Sequence, residues 1–138
     1  EKIKGYKKAL HKYNIKIDNN LINEGKEEKD IYELINDVLI KQDKKVDGII
    51  TSSDSLALKT IKVLNQLKFN IPKDISIIGF DNINSAKNTN PPLTTVHQQK
   101  LKLGIKSVNM LTRKIQKKEV KSNILSTGLI IRDSVMTK

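Results

Sequence analysis

Two polar clusters stand directly after apolar, β-branched runs. Ser52-Ser53-Asp54-Ser55 follows Val46-Asp47-Gly48-Ile49-Ile50-Thr51, and Asp81-Asn82 follows Ile75-Ser76-Ile77-Ile78-Gly79-Phe80. A carboxylate at the end of a strand accepts paired hydrogen bonds from vicinal hydroxyls, which is the chemistry of sugar recognition. The serines beside it invite a nucleophile reading, but no Gly-flanked elbow surrounds Ser52, Ser53 or Ser55, so a hydrolase or transferase triad has no support. Gly5, Gly25, Gly48, Gly79, Gly104 and Gly128 are isolated from one another, which leaves no glycine-rich loop to cradle a phosphate. His11 and His97 lie far apart, without a cysteine or second histidine at metal-ligand spacing, and read as surface or interface residues. No catalytic residue, cofactor or metal site is expected, and the chain does not read as an enzyme.

The elements that position these clusters follow from hydrophobic spacing. Ile3, Tyr6, Leu10 and Tyr13 form one stripe of a helix over 2–13, and Ile31, Leu34, Ile35, Val38 and Leu39 another. Leu21-Ile22-Asn23-Glu24 has the composition of a short strand ending at Gly25. The runs 46–51 and 75–80 are continuous and β-branched, as buried parallel strands are. Between them, a helix carrying Leu58, Ile61, Leu64 and Leu67 starts at Asp54, read as its N-cap. It ends before Ile71-Pro72, because a proline pushes its predecessor out of the helical region. Leu93-Thr94-Thr95-Val96 is extended, residues 99–117 form a long helix, and 124–132 reads as the last strand. Strands alternating with helices predict an α/β fold: an open, mostly parallel sheet flanked by helices. In such a sheet ligands bind outside the carboxyl ends of the strands. Should the two β-branched strands be neighbours, Ser53 and Asp81 open into one crevice.

The 138 residues suit one domain. Lysine dominates a net charge of +11, arginine appears only at 113 and 132, and aromatics make up 4%. Scattered lysines without arginine forks or stacking aromatics argue against direct nucleic-acid recognition by this stretch of chain. The absence of cysteine fits a reducing cytosol, so a cytoplasmic protein with no membrane contact is expected. The chain lacks an initiator methionine and opens inside an amphipathic pattern; it is expected to begin partway along a longer gene product.

Five segments, in order and at compatible spacing, resemble the LacI/GalR family of transcription regulators. They are Gly5-Tyr6 with Ala9-Leu10; Asp47 to Leu58; Ile71 to Asn82; Pro92-Leu93-Thr94-Thr95-Val96 with Gln98 and Gly104; and Leu129 to Ser134. The resemblance covers nearly the whole chain. It implies a type I periplasmic-binding-protein-like fold, of which this chain supplies an incomplete C-terminal lobe (1–93 and 121–134). Residues 97–118 would be a helix that packs on an N-terminal lobe outside this chain. The implied function is sensing a small-molecule effector, a sugar or sugar phosphate, and dimerisation, with DNA bound only through a helix-turn-helix head beyond these residues. A homodimer is expected, with exchange of elements between copies as one way of covering the apolar face of 97–118. The alternative is an extracytoplasmic sugar-binding protein of a transporter.

Residue by residue, the resemblance places effector contacts at Asp81, at Ser53 (whose hydroxyl equally suits a helix start) and at Lys2. Lys2 stands where sugar-binding members often carry arginine, and lysine cannot make the planar two-pronged grip. Dimer contacts fall at Leu58, Asn82 and Ile83. After Gly25 the chain has Lys26-Glu27, where many members place a stacking aromatic. The opening Ile3 to Leu10 is similar to the catabolite-control branch, whose co-repressor is a phosphocarrier protein. However, Lys100-Leu101-Lys102 replaces that branch's Met-Tyr-Asp run. A sugar-operon regulator is therefore preferred, and the phosphocarrier partner disfavoured.

Overall fold

The computed structural model describes residues 1–24, 27–42 and 45–136. Its centre is a four-stranded sheet in the order β1 (Gly48–Ile50), β2 (Ser76–Asp81), β3 (Thr94–His97) and β4 (Gly128–Ile130). The first three strands are parallel, with Ile49 opposite Ile77 and Phe80 opposite Val96. β4 is antiparallel to β3, pairing Leu129 with Val96. The sheet is open and mostly parallel, as the alternation of apolar runs and amphipathic stretches predicts.

Four helices accompany it: α1 (Lys2–Lys12), α2 (Glu28–Ile35), α3 (Asp54–Gln66) and α4 (Lys100–Ile115). α2 continues as one π-helical stretch, Asn36–Lys41. Along β2 the residues alternate: Ile77 and Gly79 are buried, while Ser76, Ile78 and Phe80 are half-buried. That period of two lays one face of the strand against α3. The core accordingly forms in two adjoining clusters. Ile31 and Ile35 of α2 meet Val63, Leu64 and Ile75; Ala57 and Ile61 meet Ile77, Ala86 and Leu93. Leu64, Ile75, Ile77 and Leu93 have almost no exposed surface, and burial of each stabilises the fold by about 1.5–3 kcal/mol.

Two strand expectations are corrected. Leu21 closes a 3-10 turn, Asn19–Leu21, capped by the Asp18 side chain accepting from Asn20 N–H at 2.9 Å, and 22–24 are not strand. The local Asp-Asn-Asn chemistry, which favours side-chain-capped turns, overrides the short apolar pair. The last strand is confined to 128–130, because β3 offers only Thr95 to His97 for pairing; Ile124 is 94% exposed.

The helix α4 leaves uncovered the apolar face for which the sequence reading sought a partner. Its apolar residues recur at helical spacing, yet the helix buries none of them, and Leu101 is 80% and Ile115 73% exposed. Its ties to the rest run through polar side chains: Gln99 Nε2 donates to Ser126 O at 2.9 Å and Lys106 Nζ to Asn123 Oδ1 at 2.6 Å. α1 likewise buries no residue. Among the described residues no helix is long and apolar enough to cross a membrane.

Gly79 is required by close approach. A Cβ there would overlap the Asp54 carboxylate and lie 2.9 Å from Leu93 Cδ2. Gly79→Ala is expected to lower stability by about 2–3 kcal/mol through overpacking, read as a shifted urea midpoint with unchanged slope. A second prediction concerns the turn after α3. Asn70 backbone N–H donates to Asp74 Oδ2 at 2.7 Å and the Asn70 side chain donates to it at 2.8 Å. These bonds, the backbone one first and then the side-chain one, with a smaller pull from Lys73, hold the Asp74 carboxyl below its ordinary value. A lowered folded pKa means a contribution fully present above the unfolded value of about 4 and lost as pH falls through the folded one. Thermal melts of Asp74→Asn should therefore fall less steeply than wild type on acidification below about pH 4.

Candidate functional site

β1 and β2 are hydrogen-bonded parallel neighbours, so their carboxyl ends share one edge of the sheet. Thr51 extends that pairing, its N–H donating to Ile78 O at 2.9 Å. The chain then turns, and Ser53 takes an extended conformation whose hydroxyl accepts from Leu56 N–H at 3.2 Å. Ser53, not Asp54, is the N-cap of α3. Asp54 is the first residue of the helix and is fully buried. The reading of Asp54 as a cap is thus corrected: its side chain turns inward to meet two other segments.

Those segments are the loop after β2 and strand β3. Asp54 Oδ2 accepts from Ile83 N–H at 2.8 Å, and Asp54 Oδ1 accepts from the Thr95 hydroxyl at 2.5 Å. Thr95 Oγ1 in turn accepts from Asn82 N–H at 3.3 Å. Between these bonds lies Asp81-Asn82, with φ of 117° and 50°. Asn and Asp tolerate the left-handed region better than other residues, but 117° lies outside its usual well. Asp81, half-buried at the end of β2, accepts from Gln98 Nε2 at 2.7 Å.

Lys2 reaches the same edge from α1. Its Nζ donates to Ser52 O at 2.7 Å and lies 3.9 Å from the centroid of the Phe80 ring, a cation–π arrangement. Ser53, Asp81 and Lys2 are therefore all set around the ends of β1 and β2. They form an open wall. Two shallow depressions, of about 330 Å3 beside Met110 and Lys114 and about 540 Å3 along α3 beside Leu58 and Asn65, lie elsewhere.

Of the residues assigned to a dimer contact, Leu58 and Ile83 are half-buried and pack against the cluster around Ala57 and Ile77. Asn82 is engaged within the chain: its Oδ1 accepts from Arg132 Nη2 at 2.8 Å, and its Nδ2 lies 3.2 Å from His97 Nδ1. The Gly25-Lys26 position, where a stacking aromatic would stand, lies outside the described residues. Sequence reasoning placed Asp54 at this edge in the wrong role and missed Thr95, Gln98 and Arg132 as parts of it. The signal present was the pair of adjacent threonines at the start of a strand, where a hydroxyl inside a sheet needs a partner.

Residues 2–135 match the family described as the periplasmic binding protein-like domain. The chain is 38% identical over 136 residues to the HTH-type transcriptional repressor PurR of Histophilus somni (strain 2336), a match covering 96% of this chain and 40% of that protein. The structure of the transcription regulator CcpA of Lactococcus lactis superposes with a TM-score of 0.82 at 27% identity, over 96% of this chain and 49% of that one. A sugar-binding transcriptional regulator of the LacI family from Escherichia coli, solved in complex with phosphate, superposes with a TM-score of 0.79 at 28% identity, over 96% of this chain and 48% of that one. This chain thus spans half or less of the length of each relative. With its sheet order, its five matching segments and these similarities, the chain belongs to the periplasmic-binding-protein-like domain family, in its LacI-type branch.

Proposed function

We propose that this chain is the effector-sensing region of a LacI-type transcriptional repressor, and that its effector is a sugar or sugar phosphate. The observation that carries the reading is the gathering of Asp81, Ser53 and Lys2 around the shared carboxyl edge of β1 and β2. Asp81 uses one oxygen for Gln98, and its remaining acceptor sites suit vicinal hydroxyls. Lys2 spends one of its three donors on Ser52 O, leaving two and a full charge for an anionic group. The regulator from Escherichia coli that is described as sugar-binding and was solved with phosphate supports this class of effector.

The open wall needs a facing surface before a ligand can be enclosed, and in this reading a second lobe supplies it. The same lobe would cover the apolar face of α4, where Leu101, Ile105, Val108 and Leu111 are all more than half exposed. DNA is contacted through a helix-turn-helix head beyond these residues, in keeping with the HTH-type repressor PurR to which the chain is similar. Dimerisation uses α3 and the loop at 82–90, with Leu58, Asn82 and Ile83 at or beside the contact. The protein works in the cytoplasm, with no catalytic step and no cofactor. The phosphocarrier co-repressor stays disfavoured, and the relatives named above, all regulators, favour this reading over an extracytoplasmic carrier.

The test is a thermal-shift screen of the full-length protein with neutral sugars and their phosphates, since a ligand that binds only the folded state raises the melting temperature. Asp81→Ala should weaken the responding ligand by at least about tenfold, the loss of hydrogen bonds to a charged group, while operator binding persists. Undiminished ligand response in that variant would remove Asp81 from the site.

A further inference from the structure

The Asp81-Asn82 turn is held from behind by a buried pair. Asp54 and Thr95 are both fully buried, and their hydrogen bond at 2.5 Å is between side chains 41 residues apart. The other hydrogen bonds of these two side chains end on the backbone that follows Asp81. Asp54 Oδ2 takes the N–H of Ile83 and Thr95 Oγ1 takes the N–H of Asn82. Two successive peptide groups are thereby fixed by one carboxylate–hydroxyl unit. Gly79, two residues before Asp81, leaves open the space that this carboxylate occupies, since a Cβ there would overlap Asp54 Oδ1.

A φ of 117° at a non-glycine residue persists only where its surroundings over-determine it. Asp81 is itself paired with His97 in the sheet; beyond it Thr95 and Asp54 hold the backbone N–H groups of Asn82 and Ile83, Arg132 meets the Asn82 side chain, and Gln98 takes one oxygen of the Asp81 side chain. Freed of the two backbone bonds, Asp81 would relax toward ordinary extended angles. Its carboxylate would then leave Gln98 and turn away from the edge occupied by Ser53 and Lys2.

We propose that Asp54 and Thr95 are the positioning residues of this site: they touch no ligand, and they set the backbone conformation that aims Asp81. The role rests on the reading of Asp81 as a ligand contact, but its test does not need the ligand. Thr95→Val keeps the side-chain shape and removes the hydroxyl; Thr95→Ser restores it. In the full-length protein, amide exchange at Asn82 and Ile83 should quicken by about tenfold in the valine variant, the weight of one charge-assisted bond. Exchange at Ile77 and Ile78 should keep its wild-type ratio to global stability. With glutamine labelled by 15N, the Gln98 side-chain amide resonance should move toward its position in Asp81→Ala, and the serine variant should return both signals. Asp54→Asn, which replaces one acceptor by a donor, should move them in the same direction.

The proposal is overturned if the valine variant leaves the Gln98 resonance and the two amides unchanged. It is equally overturned if exchange rises uniformly along β2, or if serine fails to restore the signals, since a purely structural hydroxyl would behave so. A wild-type protein whose melting no sugar or sugar phosphate shifts would remove the sensing reading alone, and the exchange and resonance results would still decide the positioning role.

Discussion

A carboxylate withdrawn completely from water must find donors for its charge or lose it, and in this chain that carboxylate belongs to Asp54. It answers the requirement with three elements at once. It sits in the first turn of α3, where the helix dipole favours negative charge. It accepts a backbone N–H from the loop after β2 and a hydroxyl from β3. Among the described residues no buried side-chain nitrogen or oxygen lacks a partner, so the arrangement is closed. The absence of a side chain at Gly79 is a condition of the same contact. A single charge therefore determines how α3, β2 and β3 meet at the edge that carries the candidate site.

The opposite edge of the sheet is treated differently. Ser134 is fully buried there. Its hydroxyl donates to Ile77 O at 2.7 Å and accepts from Thr94 N–H at 2.8 Å. Its backbone carbonyl accepts from Ile77 N–H, and its N–H donates to Pro92 O. The C-terminal segment thus fastens the amino ends of β2 and β3 to each other. Arg132 links the two edges, reaching Leu93 O just before β3 and Asn82 Oδ1 just after β2. One edge of the sheet is fastened by backbone and hydroxyl bonds, while at the other Asp81 and Ser53 are half-buried and Lys2 is exposed, each with one hydrogen bond within the chain. That asymmetry is the physical basis for reading the latter edge as the recognition surface.

Packing shows the same division. The α2–α3 side of the sheet holds every buried aliphatic of the two core clusters. Elsewhere, Ile50 is 64% and Ile131 66% exposed, and α4 buries none of its apolar residues. Exposed apolar surface on this scale, at helical spacing, marks a surface that packs against something else.

The kind of fold, and the adjacency of the two strands whose polar ends meet at one edge, were legible in the order of residues. β-branched runs of strand length, amphipathic stretches between them and polar residues at the run ends leave few arrangements other than an open parallel sheet. The helix spanning Leu58 to Leu64 and the extended threonines at 94 and 95 could be read for the same reason: local pattern and tertiary need agree there. The short Leu21-Ile22 pair and the long 124–132 stretch could not. A strand exists only where a partner strand offers free hydrogen bonds, and pairing is a property of the assembled sheet. Asp54 shows the same limit at the site. Its neighbourhood resembles an ordinary helix start, and Ser53 is chemically as good a cap, so local rules assign the wrong one of two adjacent residues. Only the approach of Ile83 and Thr95, 29 and 41 positions away, makes burial of that charge tolerable, and only the folded chain brings those donors to it.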